Sequence, residues 1–146
     1  MLPFYNGKSP HAIASKRLEK QKLLGIVPPT AKLGMAGKFN PEGYEKTSAK
    51  RKDYIAECMA AYAAQIAIMD RGIGRILASL ERHRLSDNTI VMFLSDNGAT
   101  AEMPQNNKNK KTTLPTGPLG EVGCRDGYGP MWAAVSNTPY RQYKIE

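Results

Sequence analysis

The sequence predicts an α/β fold, and two neighbouring stretches carry that prediction. Residues 89–94 (Thr-Ile-Val-Met-Phe-Leu) are β-branched or apolar with no alternation, the pattern of a strand covered on both faces. Parallel sheets with helices packed on each side give a strand that double cover. Immediately upstream, residues 48–84 place apolar side chains at alternating steps of four and three, so a long amphipathic helix leads through a short turn into the strand. Helix, turn and buried strand make half of a βαβ unit. A sheet needs several strands, yet these 146 residues offer one convincing candidate, so the expectation is a piece of a larger α/β domain.

Taken in order, residues 1–47 read as a basic, irregular lead-in with one short helix. Pro3, Gly7 and Pro10 punctuate its start, and a helix over 12–24 begins near Ser9-Pro10 and stops at Gly25. Ile26-Val27-Pro28-Pro29 is extended, and a Gly-dotted linker runs from Lys32 to Pro41. His11 has no partner nearby in sequence and reads as a surface imidazole.

The long helix follows, with Ile55, Met59, Tyr62, Ile66, Met69, Ile73, Ile76 and Leu80 as one stripe. Beside it Ala60, Ala63, Ala67, Gly74 and Ala78 would let the helix lie close against a sheet. The sustained four-three spacing also suits a coiled coil, but Gly72 and Gly74 each cost ~1 kcal/mol against Ala and weigh against it. His83 and Arg84 sit where the helix dipole favours cations. After the strand, residues 95–146 read as loops. Residues 106–111 look like a solvated insertion, and residues 117–130, with five glycines, look like a functional loop. Trp132, Tyr140 and Tyr143 either cover a pocket or pack on the core.

The chain carries a net charge of +8, and it is uneven: residues 1–52 hold 11 Lys+Arg against 3 Asp+Glu. Such an arm marks a nucleic-acid or anionic-membrane surface in some proteins and a solvated helix face in others. No aromatic stacking pattern or nucleic-acid motif accompanies it, so nucleic acid is not an expected partner. Cys58 and Cys124 have neither metal-ligand nor CxxC spacing. No apolar run approaches the ~18 residues of a membrane span, and Met1 opens no signal-peptide pattern.

Chemistry is expected where the strand ends, at Ser95-Asp96-Asn97-Gly98. In open α/β sheets ligands sit beyond the carboxyl ends of strands. Asp96 and Asn97 offer hard oxygen donors suited to Ca²⁺ or Mg²⁺, and Gly98 lets the chain turn away. The competing reading is a plain Asn-Gly hairpin turn. Residues 99–113 supply no second strand, which disfavours it.

Met59-Ala60-Ala61-Tyr62-Ala63-Ala64, Met69-Asp70-Arg71-Gly72-Ile73-Gly74-Arg75, the stretch from Asn88 to Gly98, and Ser136-Asn137-Thr138-Pro139-Tyr140-Arg141-Gln142-Tyr143-Lys144 together resemble the type I sulfatases, the arylsulfatases of the alkaline phosphatase-like superfamily. The resemblance covers residues 55–102 and 128–146, with a looser fit over 20–33, and it lies in the order and spacing of these segments. It implies a partial sulfatase catalytic domain over 1–146, with a sulfate ester as substrate and a large mixed sheet as scaffold. It also implies Asp96 and Asn97 as ligands of a Ca²⁺ (or Mg²⁺) ion, Lys144 as a sulfate-binding lysine, and a periplasmic or secreted setting for the full-length family. The family's nucleophile is a formylglycine made from C/S-x-P-x-R. No such motif occurs here, because Cys124 is followed by Arg-Asp-Gly and Cys58 by Met-Ala-Ala. The early Asp pair is expected upstream and a Glu-Gly-Gly downstream, so the chain alone is expected to be inactive. Two other readings remain: a phosphate or phosphonate ester hydrolase of the same superfamily, and a non-enzymatic helical interaction module with a basic arm.

Overall fold

The computed structural model describes residues 2–34, 41–102, 119–121, 124 and 127–144. Among them are five α-helices: α1 (Leu2–Tyr5), α2 (Pro10–Leu23), α3 (Pro41–Glu45), α4 (Ala49–Arg82) and α5 (Gly129–Ser136). A 3-10 turn, Ser86–Asn88, follows α4.

The helix ends are set by local chemistry. At the start of α2 the Ser9 hydroxyl accepts the Ala12 N–H at 3.2 Å, and Pro10 occupies the first turn, where no N–H is needed. Its other end closes with Gly25 at φ 68°, whose N–H donates to Lys22 O while Ile26 N–H donates to Gln21 O. That crossed pair satisfies carbonyls the helix leaves open, and the left-handed residue between them is most easily a glycine. The same pair ends α4, with Arg84 N–H on Glu81 O and Leu85 N–H on Leu80 O, but here the left-handed residue is Arg84, at φ 55°. His83 Nδ1 lies 2.7 Å from Ser79 O, so the ring also meets an end carbonyl.

The core is built around α5. Trp132 and Val135 are fully buried and cluster with Ile13 and Ala14 of α2 and Ile55 and Met59 of α4. The Trp132 indole N–H donates to Ile55 O at 2.8 Å, which gives its polar end the partner that burial demands. Tyr5 meets the Trp132 ring edge-on, with centroids 5.6 Å apart. Two α2 side chains then fasten the carboxyl end of α5: Arg17 Nη1 donates to Val135 O at 3.0 Å and Gln21 Nε2 to Thr138 O at 2.9 Å. Gly34 comes close enough for its N–H to reach Pro139 O at 2.9 Å. A Cβ there would stand 2.7 Å from Pro139 O and 2.8 Å from Arg141 N.

The expected sheet is absent from the described residues. They contain no strand, and residues 89–94, expected to be a buried central strand, lie exposed: Ile90 is 88% and Phe93 72% accessible. The chain leaves the 3-10 turn extended at Thr89 (φ −132°, ψ 122°), but no ladder receives it. The physical reason is that a strand's composition reports the cover it needs, whereas that cover and the ladder come from distant segments. The stripe of α4 shows the same limit. Ile55 is 9% accessible and Ile76 62%, and a Cβ on Gly72 or Gly74 would meet nothing within 4 Å. Residues 103–118, including the 106–111 insertion, and parts of the 117–130 loop and the 32–41 linker fall outside the described residues.

Candidate functional site

Two segments meet where the expected site residues lie. The first is the turn after residues 89–94. Ser95 Oγ donates to Asn97 O at 2.9 Å, closing a local turn, and Asn97 Nδ2 donates to Asp96 Oδ1. The two side chains therefore converge, and both are exposed. The second segment leaves α5 at Asn137 and runs to Lys144. Tyr140 N–H donates to Asn137 O at 2.8 Å, and Thr138 Oγ1 to Val135 O at 2.7 Å, so it folds back on the helix end.

These segments are joined by a short parallel pairing. Lys144 N–H donates to Ala99 O at 2.9 Å, and Thr100 and Lys144 form a parallel bridge. Just before it, the Asn137 side chain spans the gap: its Oδ1 accepts the Ala99 N–H at 3.0 Å and its Nδ2 donates to Gln142 O at 2.8 Å. Gly98 is tightly placed, because a Cβ would stand 3.0 Å from Asn137 Nδ2 and 3.6 Å from Lys144 N. The backbone of Lys144 is thus brought beside the residues that follow Asp96 and Asn97, with its side chain exposed.

Asp96 and Asn97 can give a cation a carboxylate and an amide oxygen. No group of three or more His, Cys, Asp or Glu that could hold a metal ion gathers among the described residues, and two oxygen donors fall short of the roughly six to eight that Ca²⁺ takes.

A separate pocket of about 350 Å³ lies on the α4 side, lined by Arg51, Tyr54, Cys58, Ala101, Tyr128 and Met131 among others. Asp96, Asn97 and Lys144 do not line it. Burial raises the Tyr128 phenol above its ordinary value, with a hydrogen bond from Ser136 opposing. The Arg51 guanidinium lies 4.9 Å over the Tyr54 ring. Neither Cys58 nor Cys124 is in a disulfide. Of the aromatic residues left open between pocket and core, Trp132 belongs to the core and Tyr140 is exposed. No helix among the described residues is long and apolar enough to cross a membrane.

Sequence reasoning named Asp96, Asn97 and Lys144 but gave Asn137 no role. The signal was present: an Asn at a helix C-terminus, two residues before a proline, offers both a donor and an acceptor where the chain must reverse.

Comparison with known proteins adds the family. The sulfatase family model matches residues 27–122. An arylsulfatase of Klebsiella aerogenes is 33% identical over 135 residues, covering 88% of this chain and 28% of that protein. An uncharacterized sulfatase of Schizosaccharomyces pombe is 29% identical over 150 residues, covering 96% of this chain and 27% of that protein. A further uncharacterized sulfatase, of Escherichia coli, is 44% identical over 43 residues, 30% of this chain and 8% of that protein. The chain thus spans about a quarter of the length of the first two relatives. No solved structure gives a significant match. With a family match over that much of its length, the chain belongs to the sulfatase family and so to the α/β proteins of the alkaline phosphatase-like superfamily.

Proposed function

We propose that this chain supplies part of the active site of a metal-dependent sulfuric ester hydrolase of the arylsulfatase type, acting in a periplasmic or secreted setting. The observation that carries the reading is the Ala99–Lys144 pairing, which puts a lysine beside the turn that bears Asp96 and Asn97. Asp96 and Asn97 would hold a divalent cation, Ca²⁺ or Mg²⁺, through hard oxygen donors. They are two of the roughly six to eight that Ca²⁺ takes. When bound there, such a cation supplies Lewis acidity toward sulfate oxygens. Lys144 would place a fixed positive charge where negative charge grows during ester cleavage.

No residue of the chain stands in a C/S-x-P-x-R motif, so the formylglycine nucleophile would come from another part of the catalytic domain. The chain by itself is then inactive. The test is hydrolysis of an aryl sulfate by the chain alone and by the chain joined to an upstream segment bearing that motif. Turnover is expected only from the joined protein. It should be abolished by Asp96→Ala and lowered by Lys144→Ala. Unchanged turnover in the joined Asp96→Ala protein would remove the metal assignment, and faster cleavage of phosphate than sulfate esters would move the reading to the phosphatase branch.

A further inference from the structure

We propose that Asn137 is a positioning residue: its side-chain amide fixes the Asp96–Asn97 turn against Lys144, so that the cation ligands and the sulfate-binding lysine keep one geometry. The inference rests on the reading above and names the device that would hold that site together.

The geometry points to Asn137 because its amide stands in for a peptide group. A peptide in a parallel pairing offers one N–H to one neighbour and one C=O to the other. Here Oδ1 takes the Ala99 N–H at 3.0 Å and Nδ2 gives to Gln142 O at 2.8 Å. Each partner requires the atom it faces, so the amide has one orientation that satisfies both. The next rung is a backbone one, Lys144 N–H to Ala99 O at 2.9 Å. Asn137 therefore begins a ladder that the main chain continues, and it sets the register of Lys144 on the turn.

Asn137 is itself well anchored. It follows α5 directly, its own N–H donates to Ala133 O, and its carbonyl accepts from Tyr140. The segment beyond it is held by Gln21 at Thr138 O and by Gly34 at Pro139 O. The side chain thus carries the rigidity of the α2–α5 core to an exposed turn that is otherwise held by its own Ser95–Asn97 and Asn97–Asp96 bonds and by the Ala99–Lys144 rung. Close contact requires a small residue opposite, and Gly98 is that residue. Aspartate would not serve as well: it could accept from Ala99 but would set a carboxylate oxygen against Gln142 O.

The test uses the 146-residue chain, with amide hydrogen exchange and paramagnetic broadening by Mn²⁺, a hard cation for oxygen ligands. In Asn137→Ala, exchange at the Ala99 amide should accelerate roughly five- to tenfold, the factor expected for one lost hydrogen bond. The Lys144 amide should also exchange faster, and its broadening by Mn²⁺ should fall. Asn137→Asp should keep much of the Ala99 protection, because Oδ1 is retained, while still loosening Lys144. A role confined to folding would not separate the two amides in this way.

Unchanged exchange at Ala99 in Asn137→Ala, or an unprotected Ala99 amide in the wild type, overturns the proposal. Faster exchange at Ala99 with undiminished Mn²⁺ broadening at Lys144 also overturns it, since the turn would keep its place without Asn137. If Mn²⁺ leaves Asp96 and Asn97 untouched in the wild type, the metal reading is what fails, and the exchange rates still decide whether Asn137 sets the register.

Discussion

The two halves of α4 present the same stripe to different surroundings. At the amino-terminal half, Ile55, Ala56, Met59 and Ala60 are buried, with Ile55 and Met59 in one cluster with Trp132, Val135 and the α2 residues Ile13 and Ala14. At the carboxyl-terminal half, Ile66, Met69, Ile76 and Leu77 are exposed, and the apolar run of residues 90–94 beyond them is more exposed still. Periodicity is equal along the helix while burial is not. Amphipathic spacing therefore states which side of a helix wants cover, and says nothing of whether a given chain provides it.

The contrast predicts unequal costs for like substitutions. The largest effect belongs to Trp132→Ala, which empties the centre of the core and removes the donor to Ile55 O. A loss of about 3–5 kcal/mol is expected in urea unfolding, enough to leave a domain this small largely unfolded. Phe93→Ala, an aromatic truncation in the exposed run, should stay within about 0.5 kcal/mol. Equal losses at the two positions would mean that residues 89–94 are covered in solution.

On the stripe itself, Ile55→Ala should cost about 2–4 kcal/mol, and Ile76→Ala less than about 0.5 kcal/mol beyond helix propensity. A smaller effect of opposite sign sharpens the point. Gly72→Ala and Gly74→Ala should each stabilise the chain by roughly 0.5–1 kcal/mol, because open space surrounds both and alanine is the better helix former. Destabilisation instead would reveal something packed against that face. Arg84→Gly, which relieves a left-handed residue at the end of α4, should add a further ~0.5–1 kcal/mol.

The smallest effect is one of pH and is confined to the packed half. Burial raises the phenols of Tyr128, Tyr5 and Tyr44 from their ordinary value of 10.0. The folded state therefore keeps its protons to higher pH than the unfolded chain does. This contribution to stability is whole below pH 10.0 and is lost as pH rises through the folded values. Urea midpoints measured from neutral to strongly alkaline pH should fall above about pH 10, and Tyr128→Phe should flatten part of that fall.

What was legible in the residues was local. Ser9-Pro10 and Gly25 mark the ends of α2, and a capping hydroxyl, a proline and a left-handed glycine act there within a few residues. The oxygen donors of Asp96 and Asn97 are likewise readable as residue types. The contacts that bring Lys144 beside them are not. Asn137 reaches Ala99 across 38 residues, and nothing in either segment alone announces the pairing. The exposed run of residues 89–94 lies between these cases: its composition asks for cover on both faces, and the described residues supply no ladder for the expected strand. Arg84 was read as a cation placed for the helix dipole. Its backbone shows a second role, since it occupies the left-handed position that glycine fills at the end of α2.

The central claim is that Asp96, Asn97 and Lys144 form one part of a cation and sulfate site. The most direct measurement is a Ca²⁺ titration of the chain, followed at the backbone amides of those three residues, with inorganic sulfate added at the end. The account predicts weak saturable shifts at Asp96 and Asn97 that vanish in Asp96→Ala, and a sulfate response at Lys144 that depends on Ca²⁺. A wild-type chain whose three amides ignore Ca²⁺, or a Lys144 response to sulfate that is the same with and without the ion, would contradict it.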